Sequence, residues 1–208
     1  MMGFTFFFPC LTNHLTKEYD LSISTSSLFF SVPIFNYFIM INLVNIISEK
    51  VGNFNSMMLG MIFNTMAVYL IYPLSPFPKN IISIIFGLSL IGAGGPLILI
   101  LSLIELSKTV KKISTDYDQN TINDIASAMN NFFASNGDLL GPIVGGFLSS
   151  NFGFKVCCII LFSIFLIFSL IFFHYYDKNN NDDNKEIEKN YIENLNGNNQ
   201  ALKEDLFK

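Results

Sequence analysis

Asp138 lies in a run that is otherwise small, amide-bearing or apolar, Ile125 to Leu148. On a helix, Asn131, Ser135 and Asp138 follow one another at spacings of four and three, with Ser127 or Ala128 a turn earlier, so they share a face. The chemistry open to such a stripe is narrow. A carboxylate can take up and release a proton or pair with a cation, and an amide and a hydroxyl can orient a polar solute. An Asp near the middle of a bilayer span costs about 2.5–3.5 kcal/mol on insertion scales, so it normally faces a bundle interior or a water-filled cavity. Asn36, in an earlier apolar run, is a candidate for the same path. Asp138, Asn131, Ser135 and Asn36 are therefore the expected substrate- or proton-binding residues.

A neighbouring face carries Gly137, Gly141 and Gly145 at four-residue spacing, with Gly146 beside them. Small residues in this pattern let a second helix approach closely. Pro142 removes one backbone hydrogen bond and permits a bend. Gly95 and Pro96 close a second small-residue cluster, Gly92-Ala-Gly-Gly-Pro96, which suggests a kinked or locally unwound helix. Both clusters read as packing seams or as hinges. Glu49 and Lys50, adjacent opposite charges between two apolar runs, are either a latch between neighbouring helices or a solvated surface pair.

Other chemistries find no support. No HExxH, GxSxG or paired Cys–His arrangement occurs, so no catalytic residue, metal site or cofactor is expected and an enzyme is not. The glycine cluster at 92–96 lacks the Lys and Ser/Thr of a phosphate loop. Cys10, Cys157 and Cys158 all fall in apolar runs and do not form a disulfide framework. His14 and His174 stand at the ends of apolar runs, positions that read as interfacial.

The elements that must carry these residues are set by composition. The chain has 208 residues, is 51% hydrophobic and only 13% charged, and has a mean hydropathy of +0.46. Soluble domains carry about 25% charged residues, so a polytopic membrane protein is the direct reading. The net charge of −4 offers no basic field for nucleic acid. Five full spans are expected at Ser27–Ile47, Met57–Leu74, Ile81–Ile104, Ile125–Leu148 and Val156–Phe173. A shorter stretch, Gly3–Leu15, precedes them and lacks the basic start and cleavage site of a leader peptide. The fold class is thus all-α: a polytopic membrane helix bundle of about five full transmembrane helices and a partial N-terminal one. If the short first stretch is the remnant of another polar span, the spans form two triplets, each ending in a lipid-facing helix, a repeat that builds the six-helix halves of many secondary transporters.

Lysine placement gives orientation. One face receives Lys17, Lys79 and Lys155; the other receives Lys50, Lys108, Lys111, Lys112, Lys178, Lys185 and Lys189. The second is expected to be cytoplasmic, together with the Glu105–Asp124 connection and the tail. Residues 1–176 form the expected bundle. Residues 177–208 are polar and poor in core formers, so a disordered cytoplasmic tail is expected, with a weak helix near Lys185–Leu195.

The order of elements over residues 4–176 resembles the C-terminal half of a major facilitator superfamily transporter, closest to the vesicular amine and polyamine branch. Two motifs carry the resemblance. Ser135-x-Gly137-x-x-x-Gly141-Pro142-x-x-Gly145-Gly146-Phe147-Leu148, followed by Phe152-Gly153-Phe154, is similar to the eleventh-helix pattern of that branch. Ser48-Glu49-Lys50 resembles the loop motif between helices eight and nine, with Asn45 in place of its usual Gly. The resemblance implies alternating-access transport of a small organic solute, proton-coupled and amine-like. Vesicular monoamine transporters place an Asp ten residues before the Gly-Pro; here that position is Asn131, and Asp138 lies seven residues later. The family builds its site between two six-helix halves, so the expected partners are membrane lipid, a small-molecule solute and a complementary N-terminal half. The alternative is a truncated or degenerate membrane protein that does not transport, or an interaction subunit. Organelle, solute and coupling ion are not encoded in these patterns.

Overall fold

Glycine marks two of the places where the helices turn, Gly52 and Gly153. The structure, a computed structural model, describes the backbone of residues 2–72, 80–113 and 117–206 and the side chains of residues 5–7, 9–72, 80–113 and 117–175. Leu74, Lys79 and Asp116 lie outside the described residues, as do the side chains of the polar tail at 177–208. Helix α1 is Met2–Glu18, α2 Ile23–Leu28, α3 Ser31–Val51, α4 Asn53–Ile71, α5 Ile81–Ile113 and α6 Gln119–Leu206. The all-α membrane bundle expected from the sequence is the observed architecture.

Local chemistry explains most boundaries. Ser22 caps α2, its hydroxyl accepting from the Thr25 backbone N–H at 3.2 Å. Asp20, with φ 51°, makes the turn before it, a conformation that Asp tolerates. Pro33 falls in the first turn of α3, where its missing N–H has no intrahelical partner to lose. Asp118 precedes α6, and the exposed carboxylate accepts a hydrogen bond from the Thr121 hydroxyl. That bond, with weaker help from the backbone N–H groups of Thr121, Asp118 and Asn120, holds the Asp118 carboxyl below its ordinary value.

Two single-residue corners stand out. Gly52 (φ 90°, ψ 153°) separates α3 from α4, and Gly153 (φ 79°, ψ 167°) breaks α6 into arms 119–152 and 154–206. This region of backbone space is open essentially to glycine alone. The stretch Gln119–Tyr175 is 57 residues long, roughly 86 Å as one rod, nearly three bilayer cores. The Gly153 corner turns it into two crossings. Among the described residues, Ile23–Val51, Asn53–Ile71 and Ile81–Ile113 are the other three helices long and apolar enough to cross a membrane. Helix α1, at 17 residues, is about 25 Å long and falls short of a full crossing.

The helices run further than their apolar runs. Helix α3 continues through Glu49 and Lys50 to Val51, and α5 continues through Lys108, Lys111 and Lys112 to Ile113. Lys and Glu are good helix formers, and long side chains at a membrane edge reach water without ending the helix. Helix α5 also stays helical through Gly92–Pro96, so that cluster does not unwind it.

The chain divides into two compact units, Met1–Ser169 and Leu170–Lys208. In the first, Phe6, Phe7, Cys10, Leu11 and Leu15 of α1 share a core with Val68 and Ile71 of α4, Ile84 and Leu88 of α5, and Phe154, Cys157, Cys158 and Leu161 of the last arm. Lipid is as apolar as these side chains, so close fit rather than water exclusion must hold the helices together. Glycines supply the fit. A Cβ at Gly60 would meet the Gly94 carbonyl oxygen at 2.9 Å, one at Gly87 the Ala67 oxygen at 2.8 Å, and one at Gly92 the Pro33 oxygen at 2.3 Å. Helix α5 therefore touches α4 and α3 backbone to backbone.

Candidate functional site

Two features of the first unit could do chemistry: a cavity and a half-buried acid. The cavity is about 780 Å³ and is walled by α1, α3, α4, α5 and both arms of α6. Its lining is mostly Ile, Leu, Phe and Met, interrupted by Tyr37, Asn64, Ser102, Asn130 and Asn136. Asn64 is buried and donates its side-chain amide to the Gly60 carbonyl at 3.1 Å. Asn136 donates likewise to the Phe132 carbonyl at 2.7 Å. Asn130 accepts from the Ser102 hydroxyl at 3.3 Å, joining the 119–152 arm to α5. Gly95 and Gly137 also line the space, and a Cβ on Gly95 would rest 3.5 Å from the Tyr37 ring.

The acid is Asp138. It is half-buried, and its Oδ1 is shielded with no hydrogen-bond partner among the described residues. It shares a helix flank with Gly141 and Gly145, both buried. That flank packs on α1. A Cβ at Gly145 would lie 2.5 Å from the Phe6 carbonyl oxygen, and the Cys10 thiol donates to the Gly145 carbonyl at 3.1 Å. One turn away, the Thr5 hydroxyl donates to the Gly137 carbonyl at 3.5 Å. A carboxylate oxygen buried without a donor carries a desolvation cost of roughly 1–3 kcal/mol or more. Such an oxygen is satisfied by a hydrogen-bond donor or a cation.

The other residues singled out from sequence are spread apart. Asn131 and Ser135, on the same stripe as Asp138, are exposed. Asn36 is half-buried and bonds back to the Val32 carbonyl at 2.9 Å within its own helix. Among the described residues, the cavity wall includes none of Asp138, Asn131, Ser135 and Asn36. Gly146 faces open space, Pro142 is half-buried, and Pro96 is buried, each inside a continuous helix.

Glu49 and Lys50 are both exposed, in the last turn of α3. The polar clasp at this end lies elsewhere. Asn53, the first residue of α4, donates to Glu105 Oε1 at 2.8 Å, and Lys108 Nζ donates to the same oxygen at 2.7 Å. Glu105 thereby ties α4 to α5.

His14 is buried rather than interfacial. Its ring stacks on Phe154 with centroids 4.0 Å apart and meets Tyr72 and Tyr19 edge-on at 6.0 and 6.1 Å. Its Nδ1 is 3.7 Å from Glu18. The cluster gathers α1, the end of α4 and the residue after the Gly153 corner. The sequence held one signal of it: aromatic residues at the ends of three separate apolar runs.

The family described as Major Facilitator Superfamily matches residues 1–204. No curated protein and no solved structure matches the chain.

Proposed function

Because the chain belongs to the Major Facilitator Superfamily, a family of membrane transporters, we propose that it serves in alternating-access transport of a small organic solute, with Asp138 as the proton site. The observation that carries the reading is the unpartnered Asp138 Oδ1, held in a seam between two helices of an integral membrane bundle. A structural role would have matched that oxygen with a donor. Opening the seam between α1 and the 119–152 arm would admit water to the acid; closing it would shut water out.

An amine-like solute is the finer form of the proposal. An ammonium group supplies the donor that Asp138 lacks, and proton and cation would compete for the same oxygen. Asn131 and Ser135 lie on the approach along the exposed flank. The complementary half and membrane lipid are the proposed partners. Lysine placement supports a cytoplasmic tail. The interaction-subunit alternative has less support, since the Gly145 seam is already filled by α1.

The test is uptake of a labelled primary amine into proteoliposomes under an imposed pH gradient, with the chain in its full transporter assembly. Asp138→Asn is expected to reduce gradient-driven uptake to the level of protein-free liposomes while leaving the thermal midpoint unchanged. Gradient-driven uptake that survives Asp138→Asn intact removes Asp138 from the mechanism.

A further inference from the structure

We propose that the aromatic clasp around His14 is a pH-operated latch: protonation of the imidazole pins the Gly153 corner to the ends of α1 and α4, and loss of the proton frees it. The proposal goes beyond the transport reading and does not rest on it.

Three elements meet at this point. His14 lies near the end of α1, Tyr72 is the C-cap of α4, and Phe154 follows the Gly153 corner. The imidazole lies flat against Phe154, with centroids 4.0 Å apart and planes 14° from parallel. Tyr19 and Tyr72 meet the imidazole edge-on, and Tyr72 also meets Phe154 at 5.8 Å. His14 and Phe154 are both buried. Gly153 is a non-helical residue between two helical arms, so it is the place where they can pivot. Phe154 sits at that vertex. While its ring stays stacked on His14, the corner cannot swing away from α1.

An imidazolium would find two partners already in place. Glu18, one turn along α1, puts a carboxylate oxygen 3.7 Å from Nδ1. The face of Phe154 is the second, because a cation over an aromatic face is attracted by the ring quadrupole. Burial opposes the charge. Glu18, however, is exposed to water, which reaches the carboxylate side of the pair and limits that opposition. Among the described residues, the other charges close in sequence to the clasp are Lys17 and Asp20 beside Glu18 and Lys155 beside Phe154; all are exposed, and water and salt screen them. Helices α2 and α4 and residues 81–104 of α5 carry no charged side chain. The counter-charge and the aromatic face therefore decide for the charged form. A folded chain that holds this proton more tightly than the unfolded chain gains stability that is complete below the ordinary histidine value of about 6.5 and is lost as pH rises beyond it. The latch tightens in acid and loosens in base.

The test uses the purified full chain in lipid nanodiscs at about pH 5.5 and about pH 8. His14→Phe keeps a stacking ring and cannot take a proton. The wild-type thermal midpoint is expected to exceed that of His14→Phe by about 3–5 °C more at the lower pH, the worth of about one pH unit of proton affinity in a chain of this size. Taking this difference cancels other titrating groups, Asp138 among them, so the transport reading can fail without this one. Maleimide labelling of Cys157 and Cys158, buried one turn beyond Phe154, reads the latch itself. Relative to the denatured chain at the same pH, labelling is expected to be up to about tenfold slower in acid for the wild type and equal at both pH values for His14→Phe. Histidine-selective NMR in a His174→Asn background follows the proton, and Glu18→Gln is expected to move the His14 titration to lower pH. A His14 ring that does not titrate between about pH 5 and 8 overturns the inference. So does a midpoint gap that stays constant or shrinks in acid, or relative labelling with the same pH dependence in both chains. If His14→Phe fails to fold, Glu18→Gln decides: an unchanged His14 titration in that variant removes the latch.

Discussion

Gly92→Ala should be among the most damaging single-methyl additions in the bundle, and the reason can be worked from distances. The new Cβ would sit 2.3 Å from the Pro33 carbonyl oxygen, 2.7 Å from Pro33 Cα and 2.9 Å from its carbonyl carbon. Comfortable contact needs about 3.5 Å, so α3 must retreat from α5 by about 1 Å. All three obstructing atoms are backbone, and no rotamer change can clear them. Overpacking costs about 1–3 kcal/mol, and an immovable obstacle belongs at the upper limit. Gly95→Ala, one turn along the same helix, is the control. Its methyl would meet only the edge of the Tyr37 ring at 3.5 Å, an ordinary contact, and alanine favours helix over glycine by up to about 1 kcal/mol. The pair should therefore differ by about 3–4 kcal/mol. In a chain of this size each kcal/mol moves the thermal midpoint by about 2–4 °C, giving a separation of roughly 6–16 °C. The three buried cysteines, Cys10, Cys157 and Cys158, supply the assay: a thiol-reactive maleimide dye fluoresces as unfolding exposes them. Midpoints that agree within about 1 °C would refute the idea that backbone contact at Gly92 sets the distance between α3 and α5.

Glu105→Ala should lower stability by about 1.5–2 kcal/mol, because it strips Asn53 of a charged acceptor in a half-buried clasp. Lys108→Ala, which removes an exposed partner from the same carboxylate, should cost no more than about 1 kcal/mol; equal melting shifts in the same dye assay would contradict this ranking. Gly52→Ala and Gly153→Ala meet no atom within 4 Å, yet each should cost about 1–3 kcal/mol, since φ values of 90° and 79° strain any residue with a Cβ. Gly146→Ala, also in open space but helical, should cost nothing, so similar melts for all three would show that backbone conformation is not the cause.

Apolar run length made the spans legible, because a bilayer imposes a length on whatever crosses it. The ends were less so. Glu49, Lys50 and the lysines near 108–112 look like loop by hydropathy, but they are helix, since hydropathy reports on lipid and not on backbone hydrogen bonding. The spacing of Gly137, Gly141 and Gly145 announces a close neighbour, and of the three it is Gly145 whose added Cβ would meet Phe6 of α1. The same helical reasoning could not say which flank α1 would cover. Asp138 is therefore half-buried while Asn131 and Ser135, on its own stripe, are exposed. The cavity was invisible for a related reason: Asn64, Asn130 and Asn136 come from separate turns and two helices, and only their packing brings them to one space. His14 was read by its place at the end of a run, whereas its burial depends on Tyr19, Tyr72 and Phe154, the last of them 140 positions away in sequence.

The one-residue corners limit how this unit can deform. With only Gly52 between them, the facing ends of α3 and α4 stay within roughly 7 Å of each other in any conformation, and Gly153 tethers the two arms of α6 in the same way. Neither pair can shear lengthwise by a helical turn. Each pair is left to swing about its vertex. A motion that carried cargo across this unit would accordingly look like two forks tilting past α5 rather than single rods sliding.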